Sequence, residues 1–210
     1  RAAAILLREL RLQIPALRLL LTHGTATGRE EGQKLLLPGD IQVWQPWDDR
    51  ASVNAFLRHF RPSIGILMET EMWPGLAAGC QRERVPLVLA NARLNEKSLH
   101  GAQRLAWPAR PAYRSLRSVI AQTEADASRL RAAGAEVTAV LGNLKFDVEP
   151  DAAQLAQGQA WHQAAGKPVV MLASSREGEE ALWLQALAQL RSSDPQAAAS
   201  VQWLLVPRHP

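Results

Sequence analysis

Charged, amide and hydroxyl side chains in this 210-residue chain gather directly after short apolar runs. Glu69-Thr70-Glu71 follows the run 64–68, and Asn91-Ala92-Arg93 follows 85–90. Gly142-Asn143-Leu144-Lys145 follows 137–141, Ser174-Ser175-Arg176-Glu177 follows 168–173, and Pro207-Arg208-His209-Pro210 follows 201–206. In an open parallel sheet, ligands bind outside the carboxyl ends of the strands, so chemistry would collect at these positions. Glu69 leaves a buried run directly; a partly desolvated carboxylate there suits proton handling or a fixed acceptor role. The competing reading is that Glu69 and Glu71 only favour the positive N-terminus of the next helix. Lys145, between Leu144 and Phe146, could meet a phosphate or carboxylate as a point charge, or be an ordinary surface lysine. Ser174 with Glu177 three residues on matches a capping box, and a capped helix start after a strand also offers N–H groups to an anion. Arg208-His209 between two prolines is a rigid basic pair that could contact a phosphate or a base, or form an ordinary loop.

The spacing of apolar residues predicts the elements that must carry these groups. Helices are expected over 2–13, from a Thr27 cap to 35, over 49–60, over 73–83 opened by Pro74, and over 95–117 broken by Pro108 and Pro111. Further helices are expected over 123–133 closed by Gly134, over 151–165 and over 177–190. Val/Leu/Ile runs fall between them, which implies an α/β protein with doubly wound parallel sheets. A polar, Ala/Gln-rich stretch over 149–166 looks like a linker helix. It would separate an N-terminal domain, 1–148, from a second and incomplete unit, 167–210.

Composition excludes several classes. Hydrophobic residues are 47% and charged residues 21%, which is ordinary globular usage and not that of a disordered tail, a collagen or a coiled-coil rod. The single cysteine, Cys80, excludes a disulfide framework and sits on an apolar helical face, as a core residue would. His23, His59, His100 and His162 show no metal-ligand spacing. The net charge of +4 points to anionic partners. The Trp residues sit mostly at the ends of apolar runs, which argues against a stacking platform for nucleic acid. No apolar run approaches a membrane span. Nucleotide loops of the Walker type, GxGxxG after a strand and the GxSxG elbow are all missing, and Gly24-Thr25-Ala26-Thr27-Gly28 fits no fingerprint. The chain opens at Arg1 without Met and stops at Pro210 just after a strand-like run, so both ends are expected to be cut.

Five segments together resemble one family, the Kdo transferases, which join 3-deoxy-D-manno-octulosonic acid (Kdo) from CMP-Kdo to lipid A precursors. They are Leu67-Met68-Glu69-Thr70-Glu71-Met72-Trp73-Pro74, Leu89-Ala90-Asn91-Ala92-Arg93-Leu94, Gly142-Asn143-Leu144-Lys145-Phe146-Asp147, Ala173-Ser174-Ser175-Arg176-Glu177-Gly178-Glu179-Glu180 and Val206-Pro207-Arg208-His209-Pro210. Their order and spacing fit, and the resemblance covers essentially the whole chain. Met72 stands where Leu is common in the family, and Ser175-Arg176 where Thr-His is common.

The resemblance implies a GT-B glycosyltransferase built from two Rossmann-like domains, the N-terminal one taking the acceptor and the C-terminal one the CMP-sugar. It implies that Glu69 and Lys145 stabilise the transition state and that Arg208 and His209 contact CMP, with Ser174 and Ser175 beside them. The family's general-base glutamate falls in a Gly-Glu pair ahead of Arg1, so this stretch alone is expected to be inactive. No cofactor or metal is expected, because basic side chains can meet the charge of a single-phosphate leaving group. The implied partners are CMP-Kdo, a lipid A precursor such as lipid IVA and a membrane surface, with no nucleic acid. The implied setting is lipopolysaccharide synthesis at the cytoplasmic face of the inner membrane in Gram-negative bacteria, with an anchor outside this chain. Apart from the resemblance, Arg58, His59 and Arg61 near the end of one expected helix could form part of a basic acceptor face, or be an ordinary solvated helix end. Two alternatives stand beside this: another GT-B transferase with a different nucleotide-sugar, and a non-catalytic α/β module that holds an anionic sugar or nucleotide.

Overall fold

A computed structural model of the protein describes residues 2–104, 106–148 and 150–208. The chain divides into two compact units, Arg1–Val148 and Glu149–Pro210. The first runs α1 (Ala2–Gln13), β1 (Leu20–His23), α2 (Ala26–Gln33), β2 (Ile41–Trp44), α3 (Arg50–Phe60), β3 (Gly65–Met68), α4 (Pro74–Glu83) and β4 (Leu87–Ala92). It continues through α5 (Glu96–Arg104), α6 (Ala106–Arg114), β5 (Ser118–Ala121), α7 (Glu124–Ala133) and β6 (Ala139–Val140) to a 3₁₀ turn, Leu144–Asp147. The second unit contains α8 (Ala152–Ala165), β7 (Val169–Ser175), α9 (Glu179–Ser193), α10 (Pro195–Ser200) and β8 (Gln202–Pro207).

Every strand pair is parallel, as the continuous apolar runs require. In the first unit β1 pairs with β2, and β3, β4, β5 and β6 follow one another in a four-stranded sheet. In the second, β7 pairs with β8 from Val169↔Gln202 to Ser175↔Pro207. The core of the first unit lies on β4 and its neighbours: Leu89, Val119, Ala121, Leu67 and Leu87 meet Val53 and Leu57 of α3, Ala77 and Cys80 of α4, and Leu130 of α7. Cys80 belongs to this cluster, and burial pushes its thiol up to about 11.

Local signals explain the helix ends. Asp49 caps α3 by accepting from the Ala51 and Ser52 N–H groups, both at 2.9 Å. Thr123 caps α7 by accepting from Asp126 N–H at 3.1 Å, and Gly134 closes that helix at φ 111°. Trp73 supplies no side-chain cap to α4, whose first residue is Pro74. That helix start is satisfied from a distance instead: the Asp48 carboxylate accepts from Gly75 N–H at 2.9 Å and Leu76 N–H at 2.7 Å.

Four expectations are corrected. Thr25, not Thr27, caps α2, accepting from Gly28 N–H at 3.1 Å, so Thr27 lies inside the helix. Pro108 and Pro111 do not break a helix; both lie within α6, Pro108 in the first turn, where backbone N–H groups have no intrahelical partner. The strand expected over 137–141 narrows to Ala139–Val140, with only the Thr138 and Leu141 N–H groups reaching β5 carbonyls beside it. Ser174 and Glu177 form no capping box. Ser174 has left-handed backbone at φ 58°, α9 starts only at Glu179, and Glu179 Oε2 accepts from Arg176 N–H at 2.8 Å. The helix α10 falls where none was expected; its signal was the Asp194-Pro195 pair, with Asp194 accepting from Ala197 N–H at 2.9 Å.

Candidate active site at the strand ends

The residue after β3 is Glu69, and its backbone is left-handed at φ 57°. Two further non-glycine residues at strand ends share that conformation, Asn91 at φ 50° and Ser174 at φ 58°. The remaining two, Arg61 and Arg84, end α3 and α4 as ordinary left-handed caps. No cap accounts for Glu69, Asn91 and Ser174. Such backbone costs about 1–3 kcal/mol per residue and concentrates at functional sites.

Glu69 is fixed by its main chain on both sides. Its N–H donates to Ala90 O at 3.0 Å, and its carbonyl accepts from Arg93 N–H at 3.2 Å. The side chains repeat the pairing: Arg93 Nη2 stands 3.4 Å from Glu69 Oε2, with the carboxylate 39% exposed. An ion pair that open adds little to stability, so its interest lies in placing one carboxylate and one guanidinium at the mouth of the sheet. The partner of Glu69 is thus Arg93, from the end of β4.

Lys145 lies in the turn after β6, exposed, with Nζ 4.8 Å from the centre of the Phe146 ring, itself 78% exposed. Glu69 and Lys145 therefore stand at the same edge of the sheet, Glu69 after β3 and Lys145 in the turn after β6. The ends of β4 and β5, with Asn91 and Gln122, lie between those of β3 and β6. The turn that carries Lys145 folds back across this edge, because Leu144 N–H reaches Asn91 Oδ1 of β4, the strand next to β3, at 3.2 Å. Among the described residues no ion pair joins Glu69 to Lys145.

A brace stands behind Arg93. Asp126, on α7 and only 8% exposed, accepts from Leu94 N–H at 3.0 Å, from Thr123 Oγ1 at 2.5 Å and from Arg129 Nη2 at 3.1 Å. Arg129 Nε donates to Leu94 O. Both backbone groups of Leu94 are thereby held by α7. Burial alone would raise the pKa of Asp126, but the hydrogen bonds from Thr123, Leu94 and Arg129, with the Arg129 charge, hold it below the usual carboxylate value.

In the second unit Ser174, Ser175 and Arg208 meet at the ends of β7 and β8. Pairing shifts by one residue between Ala173 and Ser175, and Arg208 N–H donates to Ser175 O at 3.4 Å. Ser175 is 3% exposed and its hydroxyl donates to Glu180 Oε1 at 2.5 Å, which lowers the pKa of Glu180. Ser175 thus orders the turn, while Ser174 is exposed. His209 lies outside the described residues. Among the described residues no three His, Cys, Asp or Glu side chains come together as a metal site, and no helix is long and apolar enough to cross a membrane.

Parallel sheets with charged groups at their carboxyl edge make this a Rossmann-like α/β protein of the GT-B type. The fold is similar to that of UDP-GlcNAc 2-epimerase from Neisseria meningitidis, at TM-score 0.58 and 14% identity over 97% of this chain and 61% of that one. The chain belongs to the 3-deoxy-D-manno-octulosonic-acid transferase (kdotransferase) family, whose model matches residues 1–148. It is 43% identical to a 3-deoxy-D-manno-octulosonic acid transferase from Bordetella pertussis, over 92% of this chain and 46% of that protein. It is 28% identical to one from Haemophilus influenzae, over 100% of this chain and 49% of that protein. The chain spans about half the length of these curated relatives.

Sequence reasoning missed Gln122 and Asp126. Gln122 is the residue directly after β5, the same position that drew attention to Glu69 after β3. Asp126 was signalled by its place three residues after the Thr123 cap, where a side chain can return to the helix start.

Proposed function

We propose that this chain forms the acceptor side, and the beginning of the donor side, of a transferase that moves Kdo from CMP-Kdo to a lipid A precursor such as lipid IVA. The observation that carries the proposal is the shared strand edge: Glu69, in left-handed backbone and paired with Arg93, after β3, and Lys145 in a turn that reaches back to Asn91 of the neighbouring β4. The acceptor hydroxyl attacks the anomeric carbon of Kdo, the bond to the CMP phosphate breaks, and CMP leaves as an anion. Lys145 stabilises the charge growing on the leaving phosphate. Glu69 favours the positive charge that develops on the sugar and keeps Arg93 oriented toward the anionic groups of the substrates. The hydroxyl proton passes to the general-base glutamate that the family resemblance places ahead of Arg1. Arg208, with His209 and the Ser174-Ser175 turn, holds CMP. The reaction takes place at the cytoplasmic face of the inner membrane, where the acceptor lipid resides.

The test uses the chain extended to the length of its relatives, with CMP-Kdo and lipid IVA as substrates. Lys145→Ala and Glu69→Gln should each lower kcat by about 10²–10³-fold, the usual loss when one preorganised electrostatic group is removed. Both should leave the melting temperature within a few degrees, because both side chains are partly or fully exposed. An unchanged kcat removes the residue from the mechanism. Competition by UDP as strong as that by CMP would point to a different nucleotide-sugar.

A further inference from the structure

Amide side chains fill the strand edge between Glu69 and Lys145. Asn91, 3% exposed, accepts from Leu144 N–H through Oδ1 at 3.2 Å. Its backbone carbonyl accepts from Gln122 Nε2 at 2.9 Å. Gln122 Oε1 accepts from Asn143 Nδ2 at 2.9 Å, and Asn143 Oδ1 accepts from Lys145 N–H at 3.0 Å. Gln122 is itself fixed by its main-chain N–H, which donates to Ala92 O at 2.9 Å. Three amides from three successive strand ends thus run from β4 to the backbone of Lys145.

This row ties the turn to the sheet. Beyond Leu141 no backbone hydrogen bond among the described residues ties the turn to the sheet; the one within it runs from Phe146 N–H to Asn143 O. None of Leu144–Asp147 is fully buried, and Leu141 and Phe146 are 74% and 78% exposed; α1 packs against the turn, with Leu144 half-buried. Asn91 takes left-handed backbone, which asparagine tolerates better than most residues, and this directs its Oδ1 to Leu144. A lysine on a flexible stem acts on a reacting group only as well as its backbone is placed, and a misplacement of about 1 Å can cost about 10²-fold in rate.

We propose that Gln122, with Asn91 and Asn143, is a positioning relay that sets the Lys145 ammonium against the leaving phosphate. This rests on the reading that Lys145 acts in the transfer. The relay touches no reacting atom; it works through Lys145, so its loss should vanish when Lys145 is already gone.

The experiment is a double-mutant cycle in the full-length enzyme with CMP-Kdo and lipid IVA. Gln122→Met keeps the side-chain length and removes both amide bonds. It should lower kcat at least tenfold, keep KM for CMP-Kdo within about twofold, and have less than a twofold further effect in a Lys145→Ala background. Asn143→Asp keeps the acceptor for Lys145 N–H and loses the link to Gln122. It should give the same pattern should Gln122→Met fold poorly. Equal losses by Gln122→Met with lysine or alanine at 145 would overturn the relay and leave a structural role. A normal kcat for Lys145→Ala would instead overturn the underlying reading. Amide hydrogen exchange separates the two without any turnover: in Gln122→Met the Leu144 and Lys145 amides should exchange at least tenfold faster, with the Leu89 and Val119 amides unchanged. Unaltered exchange at 144 and 145 would refute the relay whatever the rates.

Discussion

Replacing Asp126 with alanine should lower stability by about 3 kcal/mol, the scale seen when one partner of a largely buried pair is removed. The structure supplies the terms. Leu94 N–H would be left without its acceptor, which costs about 1–3 kcal/mol for a buried donor. Arg129 would lose one charged partner but keep Leu94 O and Glu96, and at 23% exposed it can be partly rehydrated, which pulls the sum toward the lower end. For a unit of about 150 residues this is a fall in melting temperature of roughly 10 °C. Calorimetry on wild type and variant measures it directly. The pH dependence gives a second check with a fixed sign. The folded pKa of Asp126 is depressed, so its stabilisation is fully present above the unfolded value of about 3.9 and is lost as pH falls through the folded value. The gap between wild type and Asp126→Ala should therefore be constant near neutrality and narrow only in acid. A loss below about 0.5 kcal/mol, typical of an ordinary surface site, would show that α7 does not hold the Leu94 loop.

Two other outcomes are expected. With its thiol pushed up to about 11, Cys80 carries about one thiolate in a thousand at pH 8, so iodoacetamide should leave it unmodified in native buffer and label it in urea; rapid native labelling would contradict its place in the core. Arg58, His59 and Arg61 stand at the exposed end of α3, with Arg58 Nε 3.0 Å from Glu83 Oε1. Changing all three to glutamine should weaken binding to phosphatidylglycerol-containing vesicles by about tenfold at low salt, with Arg58 contributing least, and binding indifferent to both salt and these changes would place the membrane-facing surface elsewhere.

Much of the scaffold could be read from side-chain chemistry alone. Buried parallel strands appear as unbroken apolar runs, and 118–121 is a strand in both descriptions. Asp49, Thr123, Pro74 and Gly134 mark helix ends because each does one local job that sequence states outright. The readings that differed were decided by tertiary contacts. Ser174 could have capped a helix, but its residue turns left-handed and the next serine bonds Glu180. The apolar run at 137–141 is long enough for a strand, yet only its middle pairs with β5. At the site, Glu69 and Lys145 stood out because each follows a strand. Arg93 as the partner of Glu69 and Gln122 as a link to Asn143 depend on which strands are neighbours, and that order is not written in any local pattern.

The two-residue strand β6 has a consequence for solubility. A parallel sheet that ended on a full-length outer strand would present a row of free N–H and C=O groups on which another chain could build. Here the row stops almost as soon as it begins: two register partners join β6 to β5, and the chain then leaves into a turn that carries Asn143, Lys145 and Asp147. An intruding strand would find too few consecutive groups to nucleate a ladder. The brevity that makes the Lys145 turn rely on side-chain amides also gives this margin of the sheet protection against edge-to-edge aggregation.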